Sequence, residues 1–181
     1  MAENDGVDLI LEQWRRERPD LDTSPMGVIG RISRLSRELE LRLETVYAEH
    51  GLEPGWFDVL ATLRRTGPPY ELRPTDFATA LMLTSSGATK RLDRLEEAGF
   101  ITRRPDPSDR RGILIALTPK GRKLVDAAVA DHVANEHRIL GPLTKAEQRQ
   151  LAVLLRKLQL GLSPVQTAGP AQPATSSRKP S

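Results

Sequence analysis

Residues 73–117 read RPTDFATALMLTSSGATKRLDRLEEAGFITRRPDPSDRRGILIAL, a pattern of two short helices followed by a two-stranded hairpin. Pro74 suits the first turn of a helix, where its missing N–H has no intrahelical partner to lose. Phe77, Ala78 and Leu81 give that helix an apolar side. Thr84, Ser85 and Ser86 supply N-cap oxygens for a second helix, whose apolar positions Ala88, Leu92 and Leu95 recur at helical spacing. Gly99 stands where a left-handed C-cap residue belongs. Phe100 and Ile101 begin a strand, Pro105 to Arg111 form a charged turn, and Ile113, Ile115 and Leu117 alternate as a return strand.

A helix capped by small hydroxyl residues, with Thr89 and Lys90 on its outer side, fits a DNA major groove. Its hydroxyls and N-terminus meet phosphates while its side chains meet base edges. The basic turn that follows has the length of a wing reaching the neighbouring backbone or minor groove. Periodicity alone leaves open a helix pair capped by a hairpin in another role.

The residue pattern narrows this. The run LTSSGATKRLDRLEEAGFITRRPDPSDRRGILIALTPKGRKL resembles the winged helix–turn–helix of the MarR family of bacterial transcription regulators. That family has a small-residue recognition helix, an L-x-x-x-G-[LF]-[IV]-x-R exit, a D-x-R wing and a following L-T-x-x-G. Here these are Leu95 to Arg103, Asp109 to Arg111, and Leu117 to Gly121. The resemblance covers roughly residues 7–162, and so many matches in order are more specific than any lone short motif.

At 181 residues the chain is long enough for a sizeable core in one main domain. A net charge of +3 and a pI near 9.5 allow a nucleic-acid partner without demanding one. Thr84 to Arg111 holds seven basic and five acidic residues, a mildly basic reading head that suits a dimer with two of them. The chain has no cysteine, which excludes disulfides and the thiol-based peroxide sensing common in the resembled family. No apolar run approaches the ~20 residues of a membrane span. The acidic N-terminus, MAENDGVD, lacks the basic and apolar regions of a signal peptide, so a cytoplasmic protein with no membrane partner is expected.

Outward from the reading head, residues 5–17 form an amphipathic helix capped by Asp5, with Val7, Ile10, Leu11 and Trp14 on one face. A long helix follows over 26–50, with Ile29, Ile32, Leu35, Leu39, Leu43 and Val46 spaced by three and four, and Gly51 ends it. Pro54 to Arg65 is the next helix, and Gly67-Pro68-Pro69 a loop. After the wing, Thr118 caps a long helix with Pro119 at its first position, stopped by Gly141-Pro142. Thr144 to Glu147 is a capping box for a last helix whose face carries Leu151, Leu154, Leu155, Leu158 and Leu162. The first and last long helices hold more apolar surface than a small winged domain needs, which a homodimer would cover; the resembled family dimerises through such helices. The expected architecture is thus mainly α, an α+β winged helix–turn–helix. Residues 1–50 and 118–162 supply the dimerisation region, 51–117 the DNA-binding domain, and 163–181, rich in Pro, Ser, Ala and Thr, a disordered tail.

Enzyme and metal readings fail quickly. His132 and His137 lie about 140° apart around a helix, His50 sits near a helix C-terminus where an imidazolium is favourable, and neither H-E-x-x-H nor a P-loop is present. No catalytic residue, metal or cofactor is expected.

Trp14 points elsewhere. On its own it reads as core packing of a short helix. A leading helix carrying W-x-x-E-x-P-x-L-D, however, resembles the PecS-like and HucR-like urate-responsive branch of the MarR family. In that branch four residues form or brace a ligand pocket: a tryptophan of the extra helix, an aspartate after a glycine–aromatic run, an arginine of the recognition helix and an arginine at the start of the wing. The matching positions are Trp14, Asp58 in GWFDVL, Arg91 in TKRLDRL and Arg103 in ITRR. Urate is a planar monoanion, which arginine binds by charge-assisted hydrogen bonds and an indole by stacking or by its single N–H. Held close, the anion and Asp58 repel, and an anion that draws Arg91 moves the helix that reads DNA. Without a ligand, Asp58 reads as a surface carboxylate, and Arg91 and Arg103 as phosphate or salt-bridge residues.

The expectation is therefore a homodimeric, ligand-responsive repressor on a palindromic double-stranded operator, one recognition helix per half-site. DNA contacts fall to Thr84, Ser85, Ser86, Thr89, Lys90 and Arg94 of that helix and to Arg110 of the wing, beside Arg111, which the family resemblance pairs with Asp109 to brace it. A different phenolic compound or an antibiotic in place of urate is the nearest alternative. A protein-docking module, marked by affinity indifferent to salt, is the rival of another class.

Overall fold

The computed structural model describes residues 4–81 and 85–162; within them the side chains of 78–81, 85–88 and Arg110 are not described. The cap expected at Thr84 and the tail expected over 163–181 lie outside the described residues. Those described form helices α1 (Gly6–Glu17), α2 (Ser24–Glu49), α3 (Trp56–Arg65), α4 (Pro74–Leu81), α5 (Ser85–Glu97), α6 (Pro119–Ile139) and α7 (Lys145–Leu162), with strands β1 (Glu71–Leu72), β2 (Ile101–Asp106) and β3 (Asp109–Leu117). The chain divides near Arg138 into two compact units, and this is a mainly helical winged helix–turn–helix.

In the first unit, α3 is the central helix. Val59, Leu60 and Leu63 are completely enclosed, and Trp56 and Phe57 nearly so. They pack with Phe77 of α4, Leu92 and Leu95 of α5, Ile101 of β2, Ile115 of β3, and Val125 and Ala128 of α6. Burying a leucine or isoleucine side chain contributes about 1.5–3 kcal/mol, so one shared core fixes the reading helix, the wing and α6 together. The helix starts two residues later than the sequence reading placed it. Gly55 adopts a left-handed backbone, φ 77°, and the Trp56 N–H closes a turn onto the Glu53 carbonyl, so Pro54-Gly55 cannot be a first helical turn.

Asp5 caps α1 through a reciprocal capping box with Asp8. The Arg31 guanidinium of α2 reaches both carboxylates, at 2.8 Å from Asp5 and 2.7 Å from Asp8, and so staples α1 along α2 while Val7 and Leu11 are buried. Near the end of α2, Tyr47 stacks on Phe57 at 4.3 Å between centroids, and its hydroxyl lies 3.2 Å from Nδ1 of His132 in α6. His50 Nε2 is 2.9 Å from Asp131. Among the described residues no group of His, Asp or Glu is arranged to hold a metal ion, and no helix is long and apolar enough to cross a membrane.

The expected two-stranded hairpin has a third strand. β1 pairs antiparallel with β3, Leu72 opposite Ile115, giving the order β1-β3-β2. A two-residue strand carries no alternation to read, and it exists because β3 offers it an edge. The ion pair of Glu71 with Arg104 spans β3 between the two outer strands. The wing tip is also tighter than expected. β2 runs through Pro105 to Asp106 and β3 begins at Asp109, with a register irregularity at Pro105/Asp106, so Pro107 and Ser108 alone form the tip.

The junction of α5, β2 and α6 explains the L-T-x-x-G run. Gly99 takes the left-handed backbone, φ 74°, and the Phe100 N–H returns to the Leu95 carbonyl, a Schellman end. The Thr118 hydroxyl lies 2.8 Å from the Gly99 carbonyl and 3.0 Å from that of Phe100, and it accepts the Gly121 N–H that opens α6. Lys120 Nζ donates to the Ala98 carbonyl at 2.8 Å, a cation at a helix C-terminus where orphan carbonyls and the dipole favour it. A Cβ on Gly121 would stand 2.1 Å from the Phe100 carbonyl oxygen.

The second unit contains α7, opened by the expected capping box: Glu147 accepts from the Thr144 N–H and hydroxyl at 2.8 and 2.7 Å, and Thr144 accepts from the Glu147 N–H. Its Leu151, Leu154, Leu155, Leu158 and Leu162 are all exposed. Gly121→Ala is expected to destabilise the fold by about 1–3 kcal/mol because the clash is with backbone. Gly161→Ala, which meets nothing within 4 Å, is expected to leave stability unchanged or slightly raised. Urea unfolding of both variants checks the pair.

Candidate nucleic-acid interface

The interface is built on α5 and the wing. At about 100° per residue, Leu92 and Leu95 turn α5 toward the core, and the opposite side carries Ser86, Lys90, Asp93, Arg94 and Glu97. Thr89, Lys90, Asp93, Arg94 and Glu97 are exposed. On that outer face Lys90 and Arg94 are cations, while Asp93 and Glu97 place carboxylates beside Arg94 in the C-terminal half. The N-terminal half carries no carboxylate and suits a polyanion best.

Both flanks of α5 are tethered. On one, Arg94 pairs with Glu53 at 2.9 Å, both about half exposed, and the Arg91 guanidinium lies so close over Gly55 that a Cβ there would be 2.3 Å from its carbon. What favours glycine at 55 is its left-handed backbone, since the group above it is the movable end of the Arg91 side chain. On the other flank, Arg103 of β2 reaches Asp93 and Glu96, each at 2.5 Å, and its N–H donates to Glu96 at 2.8 Å. An exposed pair such as Arg94–Glu53 contributes at most about 1 kcal/mol, so Arg94 is readily released to a phosphate. Arg103, 29% exposed with two carboxylates, is held harder.

The wing is braced by residues other than the expected pair. Asp109 accepts from the backbone N–H of Arg111 at 3.0 Å, so their contact runs through the main chain and not the guanidinium. The brace is Asp106, 6% exposed. It accepts from the Ser108 N–H and hydroxyl at 2.8 and 2.7 Å and from Arg73 Nε at 2.8 Å, and Arg73 Nη2 reaches the Ser108 hydroxyl at 2.9 Å. Hydrogen bonds from Ser108, and then Arg73, hold the Asp106 carboxyl down to about 2. A Cβ on Gly112 would sit 3.0 Å from the Cβ atoms of Asp106 and Asp109, so the turn closes against a bare backbone. The readable signal was Asp-Pro-Ser, a sequence in which an aspartate caps the amide two residues on. The arginine 33 residues away had none.

Of the four residues expected to line a ligand pocket, Arg91, Asp58 and Arg103 belong to α5, the first turn of α3 that follows Gly55, and β2. Trp14 lies on α1 and is 41% exposed. One cleft of about 520 Å³ lies beside Tyr70, Arg122 and Asp126, and another of about 390 Å³ between α1 and α2 beside Ile10, Met26 and Arg34; none of the four lines either. Thr84 lies outside the described residues, and Ser85, Ser86 and Arg110 are placed by backbone alone.

A sequence profile of the MarR family matches residues 50–112, the span from the end of α2 to the wing. The chain is 45% identical to the HTH-type transcriptional regulator PecS of Dickeya dadantii over 88% of its length and 96% of that protein's. The chain belongs to the MarR family. It is a DNA-binding transcriptional regulator of that family, similar to PecS, and its relatives are regulators and not enzymes. Among solved structures it is similar to Sco3205, a MarR family regulator of Streptomyces coelicolor in complex with DNA, with a TM-score of 0.72 and 26% identity over 80% of this chain and 91% of that one. It is also similar to BpsR of Bordetella bronchiseptica, with a TM-score of 0.63 and 26% identity over 72% and 92%.

The lowered Asp106 carboxyl sets an acid limit. Its free value is near 4, so its contribution to stability is complete above about pH 4 and is lost as pH falls toward about 2. Asp106→Asn is expected to be less stable than the parent at pH 7, the difference closing between pH 4 and 2 in urea unfolding curves.

Proposed function

We propose that this MarR-family regulator is a cytoplasmic homodimeric repressor that binds a palindromic operator and is released by an anionic aromatic ligand, urate being the first candidate. Each α5 occupies one major groove, the two about one DNA turn apart. Thr84, Ser85, Ser86, Thr89, Lys90 and Arg94 face the half-site, and Arg110 and Arg111 of the wing face the flanking backbone or minor groove. Residues 1–50 and 118–162 supply the dimerisation region around a DNA-binding domain at 51–117. A second copy covers the exposed Ile29 and Leu35 of α2 and the exposed leucines of α7.

One observation carries the ligand reading: of the two candidate ligand arginines, one grips the reading helix and the other is part of it. Arg103 holds α5 through Asp93 and Glu96, and the Arg91 guanidinium of α5 lies over Gly55, in the turn before Asp58. An anion that competes with Asp93 and Glu96 for Arg103 loosens a tether of α5, and one that draws Arg91 from Gly55 pulls on the helix itself. Its affinity for the loosened state then exceeds that for the DNA-bound state, as allostery requires. Trp14 joins the pocket across α1 in the assembled dimer and stacks on the planar ligand. A different aromatic acid or phenolic compound is the second reading. It is favoured by BpsR, whose DNA binding is regulated by 6-hydroxynicotinic acid.

Gel shifts on the promoter beside the protein's own gene, with and without urate, test the proposal. Urate is expected to weaken binding of the parent by at least about tenfold, the scale of one or two kcal/mol of coupling. Trp14→Ala and Arg91→Ala are expected to bind DNA as dimers with no urate response. Binding that urate leaves unchanged discards urate, and a full response in both variants discards the pocket.

A further inference from the structure

We propose that Arg73 is a positioning residue for DNA binding: it locks the wing to the start of α4 and so sets the distance between the wing and the reading helix. The inference rests on the reading that the wing touches DNA.

Arg73 immediately precedes α4, and its carbonyl accepts the first helical N–H, that of Phe77. Phe77 is in turn enclosed in the core. The backbone of Arg73 is therefore as fixed as the core. Its side chain is about half exposed and crosses to a carboxylate that is 4% exposed. Asp106 has three donors from two residues: the Ser108 amide, the Ser108 hydroxyl and Arg73 Nε. The second arm of Arg73 reaches Ser108 itself. The guanidinium thus grips both ends of the Pro107 tip.

Without Arg73, the outer end of the wing keeps the local bonds of Ser108 to Asp106 and the β2–β3 ladder, which has a register irregularity at Pro105/Asp106, and loses its link to α4. The Glu71–Arg104 pair lies further down the sheet, at the β1 end. A two-stranded ribbon bends and twists easily. A tip that wanders by an ångström or two costs a minor-groove contact most of its value, since that contact depends on fixed geometry. Arg73 does this work through Asp106 and Ser108, which its Nε and Nη2 reach at 2.8 and 2.9 Å.

A double-mutant cycle tests the assignment on the full-length protein, read as operator affinity by gel shift and fold stability by thermal melting. Arg110→Ala alone is expected to weaken binding about tenfold, the scale of one charged DNA contact. Arg73→Gln is expected to weaken it by a similar factor with an intact cooperative melt. The combined variant is expected to be no weaker than either single one, because a wing that is not positioned gains nothing from Arg110. Arg73→Lys, which keeps one donor toward Asp106, is expected to recover part of the loss. Additive losses in Arg73→Gln and Arg110→Ala overturn the proposal and make Arg73 a phosphate contact in its own right. A lowered melt with unchanged affinity in Arg73→Gln also overturns it, leaving a structural role only. If Arg110→Ala and Arg111→Ala each leave affinity unchanged, the wing reading fails instead; a loss in Arg73→Gln in that case again marks a direct phosphate contact.

Discussion

The hydroxyl of Thr118 joins four elements. It lies within hydrogen-bonding distance of the Gly99 and Phe100 carbonyls just beyond α5, it stands where β3 becomes α6, and it receives the Gly121 amide in the first turn of α6. Lys120 completes the closure on Ala98, and Gly121 lets α6 approach the Phe100 carbonyl as no other residue could. The orphan groups of two helix ends are satisfied by each other's residues. The reading helix is consequently stopped, turned and anchored at one place, and its distance from α6 is set by backbone contact and not by flexible side chains.

From that anchor α5 is steered by charge. Arg103 on one flank pairs with Asp93 and Glu96, and Glu53 on the other pairs with Arg94, with the Arg91 guanidinium lying over Gly55 beside it. Tethers of this kind are strong enough to hold an orientation and weak enough to be exchanged. They make a helix whose position an anion can alter, whether that anion is a phosphate at its outer face or a small ligand at its flank. The hydrophobic core beneath, centred on Leu60, Leu63 and Leu95, does not respond to charge and keeps the unit folded throughout.

The wing repeats this logic with a harder lock. Asp106 is enclosed and its carboxyl is held down to about 2, so the brace stays ionised over any ordinary pH. The resemblance implied Asp109 and Arg111, the D-x-R of the family's wing. A partner 33 residues away was not legible, since a side chain's reach across a fold leaves no trace in spacing.

Local rules wrote much of this protein directly into its chain. The capping box at Asp5, the left-handed Gly99, Thr118 before Pro119, the box at Thr144 and the helical spacing of Leu92 and Leu95 each act within a few residues, so they were readable there. The family motifs, being runs of the same kind, placed the reading helix and the wing. Tertiary structure alone created β1, which exists only beside β3, and delayed α3 until after Gly55, whose backbone is left-handed. It alone chose Arg73 for Asp106. It also left Trp14 about two-fifths exposed on α1, because the burial of a side chain depends on which distant elements pack against it.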